Sequence, residues 1–236
     1  MTIDGAPPRG GLAGWKTALA ASLVGALVGG GAVAYLSRES VRDYLLENPE
    51  ILPEAMDRLR EREAARAVSA NRASLETPFA GAWAGAPDGD VVLVEFFDYA
   101  CGFCRKSNAD VERLLREDPK LKVVWREWPV LGPDSEAASR ASLAAARAGR
   151  FKPFHDALFA AGKPSPDAVA RARAGIGLNG DLPAAEADRE LARNYQLARN
   201  LEASGTPTFV VGDQIFQGAV GYEALRDAIR EVRQKG

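Results

Sequence analysis

The 236-residue chain has two cysteines, one histidine and two methionines. So few Cys and His exclude a disulfide-rich scaffold. They also exclude a structural zinc site built from Cys and His alone, which takes four such ligands. An excess of one charge is missing too: 30 Lys and Arg face 32 Asp and Glu, a net charge of -2. No global basic field therefore points to nucleic acid. Internal repeats are absent. Apolar residues make up 47% of the chain, enough for a packed core and too many for a disordered protein. Against this scarcity the cysteine positions are informative, because the two are three apart in Cys101-Gly102-Phe103-Cys104.

Long uncharged runs are also scarce, with one exception. Thr17 to Ser37 is 21 residues without a charge, and a helix of that length spans roughly 30 Å, the hydrocarbon thickness of a bilayer. Arg9 and Lys16 precede it, so the positive-inside rule puts residues 1–16 in the cytoplasm and the remainder outside. Residues 17–37 are read as a transmembrane or signal-anchor helix tethering an exported, periplasmic protein to the inner membrane. Ala32-Val33-Ala34 also fits a signal peptidase, which would cleave after Ala34.

From Arg38 to Arg72 the composition changes: 15 of 35 residues are charged. Val41, Tyr44 and Leu45 mark one apolar stripe, and Leu52, Ala55, Met56 and Leu59 mark another, both at helical spacing. Asn48-Pro49-Glu50 reads as a break and restart. Residues 38–75 are expected to form a helical stalk, either a solvated spacer or a region for homo-oligomerisation.

Residues 76–236 are expected to form the main domain. Val91 to Tyr99 is a nearly continuous apolar run, the signature of a central strand buried on both faces. Helical spacing follows from Cys101 to Glu117, and Leu121 to Trp128 is a second strand, giving a βαβ unit. About 134–204 is mostly helical. Thr208 to Val211 and Gln214 to Gln217 flank a Gly212-Asp213 turn, and Gly221 to Lys235 is a closing amphipathic helix.

A CxxC directly after a strand and opening a helix is a strong redox signal. Unpaired amides at the first helical turn stabilise a thiolate on Cys101, the reactive species. Cys104, one turn deeper, is placed to close the disulfide or resolve a mixed one. Gly102 is expected to permit a tight backbone entry, and Phe103 to offer an apolar contact to substrate. Glu95 stands within the apolar strand, where a carboxylate is costly to bury unless it has a task or a partner. The competing reading pairs it with Lys122 or Arg126.

Other chemistries fail on inventory. Covalent haem attachment needs His after the second Cys, and Arg105 is there. Zinc on two Cys would need His155 with a carboxylate, or two carboxylates. A cysteine protease using His155 as base leaves Cys104 unexplained. His155, Trp125 and Trp128 read as packing residues. No metal or cofactor is implied.

The order βαβ, helical block, ββα, with the cysteines opening the first helix, resembles the thioredoxin fold in its DsbA-like form. The resemblance implies an α/β, thioredoxin-like fold with an inserted helical domain, preceded here by the anchor helix and the charged stalk. It covers about Val91 to the end of the chain. Leu45-Leu46-Glu47-Asn48-Pro49-Glu50 is similar to the stalk of the ScsC (suppressor of copper sensitivity C) branch, some of whose members oligomerise through it. Glu95 matches the family's buried acid, which assists proton removal from the second cysteine. Thr206-Pro207 matches its cis-proline position, which would set the Thr206 backbone against the cysteines for a substrate strand.

The implied activity is thiol–disulfide exchange with exported proteins, together with a membrane redox partner of unknown identity. The Gly-Phe dipeptide carries no imidazole, so the expected direction leans to isomerase or reductase. A DsbA-type dithiol oxidase is the alternative within the class. A copper-responsive or holdase binding module is the alternative outside it.

Overall fold

The computed structural model describes residues 41–235. The expected segment 1–16, the expected anchor 17–37 and the A-x-A pattern lie outside the described residues. Among those described, no helix is long and apolar enough to cross a membrane.

The chain divides into two compact units between Leu59 and Arg60. In the first, residues 41–47 are helical. The Asn48 side-chain amide donates to the Tyr44 carbonyl (2.9 Å) where this stretch ends, at the expected break. Helix α1 (Ile51–Glu76) starts after the Pro49-Glu50 turn. Pro53 falls in its first turn, where a missing N–H leaves no helical bond unmade. Val41, Tyr44, Leu46, Leu52, Met56 and Leu59 are exposed.

The second unit takes in the rest of α1 and then β1 (Trp83–Gly85), β2 (Val91–Phe97), α2 (Gly102–Glu117) and β3 (Leu121–Glu127). Four helices follow: α3 (Pro133–Arg147), α4 (Phe151–Ala160), α5 (Pro166–Gly175) and α6 (Ala184–Asn200). The chain closes with β4 (Thr208–Val211), β5 (Gln214–Gln217) and α7 (Tyr222–Lys235). The sheet order is β1-β3-β2-β4-β5, with β2 and β3 parallel and the other pairs antiparallel.

Both central strands are buried on two faces, which explains their unbroken apolar character. Leu93, Phe97, Val123, Trp125 and Phe209 share one core with α2, α3, α4 and α7. Val94, Phe96, Val124 and Val210 share a second with Val68 and Leu75 of α1 and Leu197 of α6. At the β4–β5 turn Gly212 has φ +59°, and a Cβ there would meet the Val232 side chain at 2.4 Å, so only glycine fits.

Two features differ from the sequence reading. Trp83–Gly85, where the sequence reading places no strand, is an edge strand antiparallel to β3; at three residues it is too short to show alternation. The first core strand ends at Phe97 rather than Tyr99, because the Asp98 side chain turns to bind loop amides.

Arg126 ties α1 to the sheet. Its side chain is buried, and its guanidinium donates to Glu190 Oε1 (3.0 Å), to the Leu75 carbonyl (3.1 Å) and to the carbonyls of Ser74 and Thr77. One fork thus meets both a carboxylate and the unpaired carbonyls at the end of a helix. Removing it strands Glu190 and those carbonyls together. Arg126→Leu is expected to lose about 3–5 kcal/mol in urea unfolding. Arg126→Leu with Glu190→Leu should recover part of that loss.

Candidate active site

Cys101 is the residue that caps α2, and its carbonyl accepts the Arg105 amide (3.1 Å). The capping position is extended, with φ -76° and ψ 118°, so the sulfur sits where the helix's first amides are unpaired. Cys101 is 7% exposed and Cys104 fully buried, and both thiols are free. The Cys101 sulfur lies 3.3 Å from the Thr206 carbonyl, to which it donates when protonated. Its pKa is lowered to about 5, first by the Cys104 thiol and then by the Thr206 side chain and the Cys104 and Phe103 backbone amides, against the opposing effect of burial. Cys104 shifts the other way, raised by burial, by its bond to Cys101 and by the charge of Glu95. One sulfur is therefore a thiolate at neutral pH and the other a thiol.

Glu95 lies in the middle of β2, 1% exposed, in register with Trp125 of β3 on one side and Phe209 of β4 on the other. Its partner is the Trp125 indole, whose Nε1–H donates to Oε2 at 3.0 Å. Neither basic residue considered from the sequence takes this place. Arg126 leaves on the opposite face of β3, and Lys122 donates to the Pro87 carbonyl (3.3 Å). Burial raises the Glu95 pKa to about 8 against the lowering effect of Trp125, and the Cys101 and Glu112 charges add to the rise.

Thr206-Pro207 is cis, and the pair borders Cys101 through the Thr206 carbonyl. Gly102 is not required by the backbone, since a Cβ there would meet nothing within 4 Å; its effect is to leave the approach open. Phe103 is 65% exposed beside the reactive sulfur.

Asp98, which sequence reasoning passed over, organises the surroundings. Its carboxylate accepts the Ala100 amide (2.8 Å) on one oxygen and the Val130 (2.9 Å) and Leu131 (3.0 Å) amides on the other. The turn into Cys101 and the loop before α3 are thereby joined. The only signal was a carboxylate directly after an apolar strand. Val130 and Leu131 are exposed, as is Val220, whose loop is held to the Pro207 carbonyl through Gly218 (2.8 Å). With Phe103 these are the large exposed apolar residues of the second unit among the described residues. His155 is fully buried among aromatic rings.

Residues 92–230 match the family model of the DSBA-like thioredoxin domain. The chain belongs to this family. Residues 38–66 match the N-terminal domain of the copper resistance protein ScsC. A thioredoxin-like oxidoreductase from Silicibacter pomeroyi DSS-3 is 41% identical, with a TM-score of 0.66 over 70% of this chain and 98% of that one. Proteus mirabilis ScsC in a transitional conformation is 30% identical, with a TM-score of 0.68 over 87% and 99%. A periplasmic thioredoxin-like protein from Salmonella enterica serovar Typhimurium is 26% identical, with a TM-score of 0.65 over 68% and 94%. Curated relatives include the Na(+)/H(+) antiporter NhaA 3 of Salinispora tropica, 31% identical over 153 residues. The chain spans about a quarter of the length of the curated relatives it matches first. The expected fold, a thioredoxin-like sheet with inserted helices, holds for this DSBA-like protein.

The carboxyl of Glu95 makes a stability prediction. Its folded pKa of about 8 stands above the ordinary 4.5, so between those values the folded state binds more protons than the unfolded one. Stability from this group is full below pH 4.5 and falls as pH rises through about 8. Glu95→Gln is expected to remove that slope, so denaturant midpoints should show the variant gaining on the parent between pH 5 and pH 9. A constant difference across that range would refute the assignment.

Proposed function

We propose that the chain exchanges disulfides with exported proteins through Cys101 and Cys104. The observation that carries this reading is the pair of opposed thiols: an activated Cys101 facing the Thr206 carbonyl, with a protonated Cys104 buried one turn behind it. In the reducing direction the Cys101 thiolate attacks a substrate disulfide, forming a mixed disulfide and releasing one substrate sulfur as thiolate. Cys104 then gives its proton to the Glu95 carboxylate and attacks Cys101. The second substrate sulfur leaves, and two electrons have passed to the substrate. Oxidation runs these steps backwards. The Thr206 backbone, Gly102 and Phe103 receive the substrate strand, and the apolar rim of Val130, Leu131 and Val220 favours clients with exposed hydrophobic segments.

The direction leans to isomerase or reductase. A Cys101 pKa of about 5 lies between the ~7 of thioredoxin and the ~3.5 of DsbA, so the pair is less oxidising than the strongest members. Cys104→Ser should accumulate mixed disulfides with exported proteins, whereas a holdase or copper-binding module would accumulate none. A measured potential near about -120 mV would reverse the lean to an oxidase.

A periplasmic setting, with 17–37 as the tether to the inner membrane and a membrane redox partner, agrees with the relative described as periplasmic. Residues 38–75 act as an oligomerisation stalk. The six exposed apolar side chains between Val41 and Leu59 support this, as does the match to the ScsC N-terminal domain. Sedimentation should show a fragment from residue 38 as an oligomer and one from residue 60 as a monomer. Equal masses per chain would remove the stalk's role.

A further inference from the structure

One buried polar side chain touches several parts of the site without belonging to the cysteine pair. His155, on α4, is fully buried within a cage of rings, with centroid distances of 5.0 Å to Phe97, 5.1 Å to Trp125, 5.1 Å to Phe151 and 4.8 Å to Phe159. Both ring nitrogens are occupied. Nδ1 lies 3.2 Å from the Tyr99 hydroxyl and Nε2 lies 3.2 Å from Asn108 Oδ1. Tyr99 continues to the Ser142 hydroxyl (2.9 Å), which lies 2.8 Å from Glu127 Oε1.

Packing alone does not call for histidine here. Phenylalanine fills the same space, whereas a buried imidazole costs about 2 kcal/mol or more unless its nitrogens are paired. Burial and the Lys152 ammonium push the His155 pKa well below its ordinary value, so the ring is neutral. A neutral ring donates from Nε2 to Asn108 Oδ1 and accepts the Tyr99 hydroxyl at Nδ1. Ser142 then donates to Tyr99 when the Glu127 carboxyl, its pKa raised to about 7, is protonated and donates to Ser142.

The three groups it meets belong to three parts of the redox centre. Tyr99 stands in the turn that delivers Cys101. Asn108 is on α2, one turn beyond Cys104. Trp125, held between His155 and Phe151 (5.4 Å), is the donor to Glu95.

We propose that His155 is a positioning residue for the proton step at Cys104, fixing the plane of the Trp125 indole and through it the Glu95 carboxyl. The inference rests on the exchange reading given above. Asn108 and Tyr99 orient the imidazole, the imidazole orients the indole, and the indole N–H aims at one carboxyl oxygen. The charged and titratable groups around this cluster are Cys101, Cys104 and Glu112 on the α2 side, Lys152 and Asp156 on α4, and Glu127 at the end of β3.

Carboxyl NMR titration of Glu95 in the full chain tests it, compared across the parent, His155→Phe, Trp125→Phe and the double variant. Loss of the indole bond should raise the Glu95 pKa by about one pH unit, a tenfold change in proton affinity. His155→Phe should give a shift of the same sign, and the double variant no more than Trp125→Phe alone, since both act through one bond. Resolution of a mixed disulfide by Cys104 should follow the same displaced pH profile. Additive shifts, or an unmoved Glu95, would overturn the inference. If His155→Phe does not fold, Asn108→Ala decides: a smaller upward shift supports the role and none refutes it. Failure of the exchange reading is separately visible, as a Cys104→Ser variant that traps no mixed disulfide.

Discussion

A negative sulfur at the head of α2 is the constraint on which the rest of the site depends. Cys101 holds a charge at neutral pH because unpaired helix amides and a neighbouring thiol surround it, and these outweigh the cost of its burial. That charge requires the groups behind it to stay neutral. Burial does this for Cys104 and Glu95, so one acid is strengthened and two are weakened within one turn of helix and one strand. The second cysteine can lose its proton only to a base close by, and Glu95 of β2 can become that base once a mixed disulfide removes the Cys101 charge that helps to keep its carboxyl protonated.

The alternation of β3 divides the domain's tasks. Trp125 and Glu127 go to the face that carries the cysteines, while Arg126 goes to the other and caps α1. Catalytic support and attachment of the amino-terminal helix are thus neighbouring residues of one strand. Each is held by hydrogen bonds that a slip of one residue would exchange for the wrong face.

Much of this was legible in the sequence. The apolar run at Val91, the CxxC opening a helix and the Gly212-Asp213 turn each act locally, and each is where local chemistry puts it. Thr206-Pro207 needed the family resemblance, because a cis bond leaves no local mark in the residues before it. Glu95 was conspicuous as a charge in an apolar strand, but its partner was not. That partner depends on the β2–β3 register, which aligns Glu95 with Trp125 and turns Arg126 away. Asp98 and Ser142 were silent for the same reason, since their bonds cross 32 and 15 residues of chain. Gly102 was over-read: its backbone is one that any residue adopts.

The single histidine has a consequence for proton counting. In most proteins, surface imidazoles dominate buffering near neutrality and hide every other group. Here the one imidazole is buried and neutral, with its pKa pushed far down. Among the described residues, the side chains shifted into the interval between about pH 5 and pH 8 are Cys101, Glu127 and Glu95, all in or beside the redox centre. Proton uptake by the described residues between about pH 6 and pH 7.5 is thus weighted towards the groups around the active site.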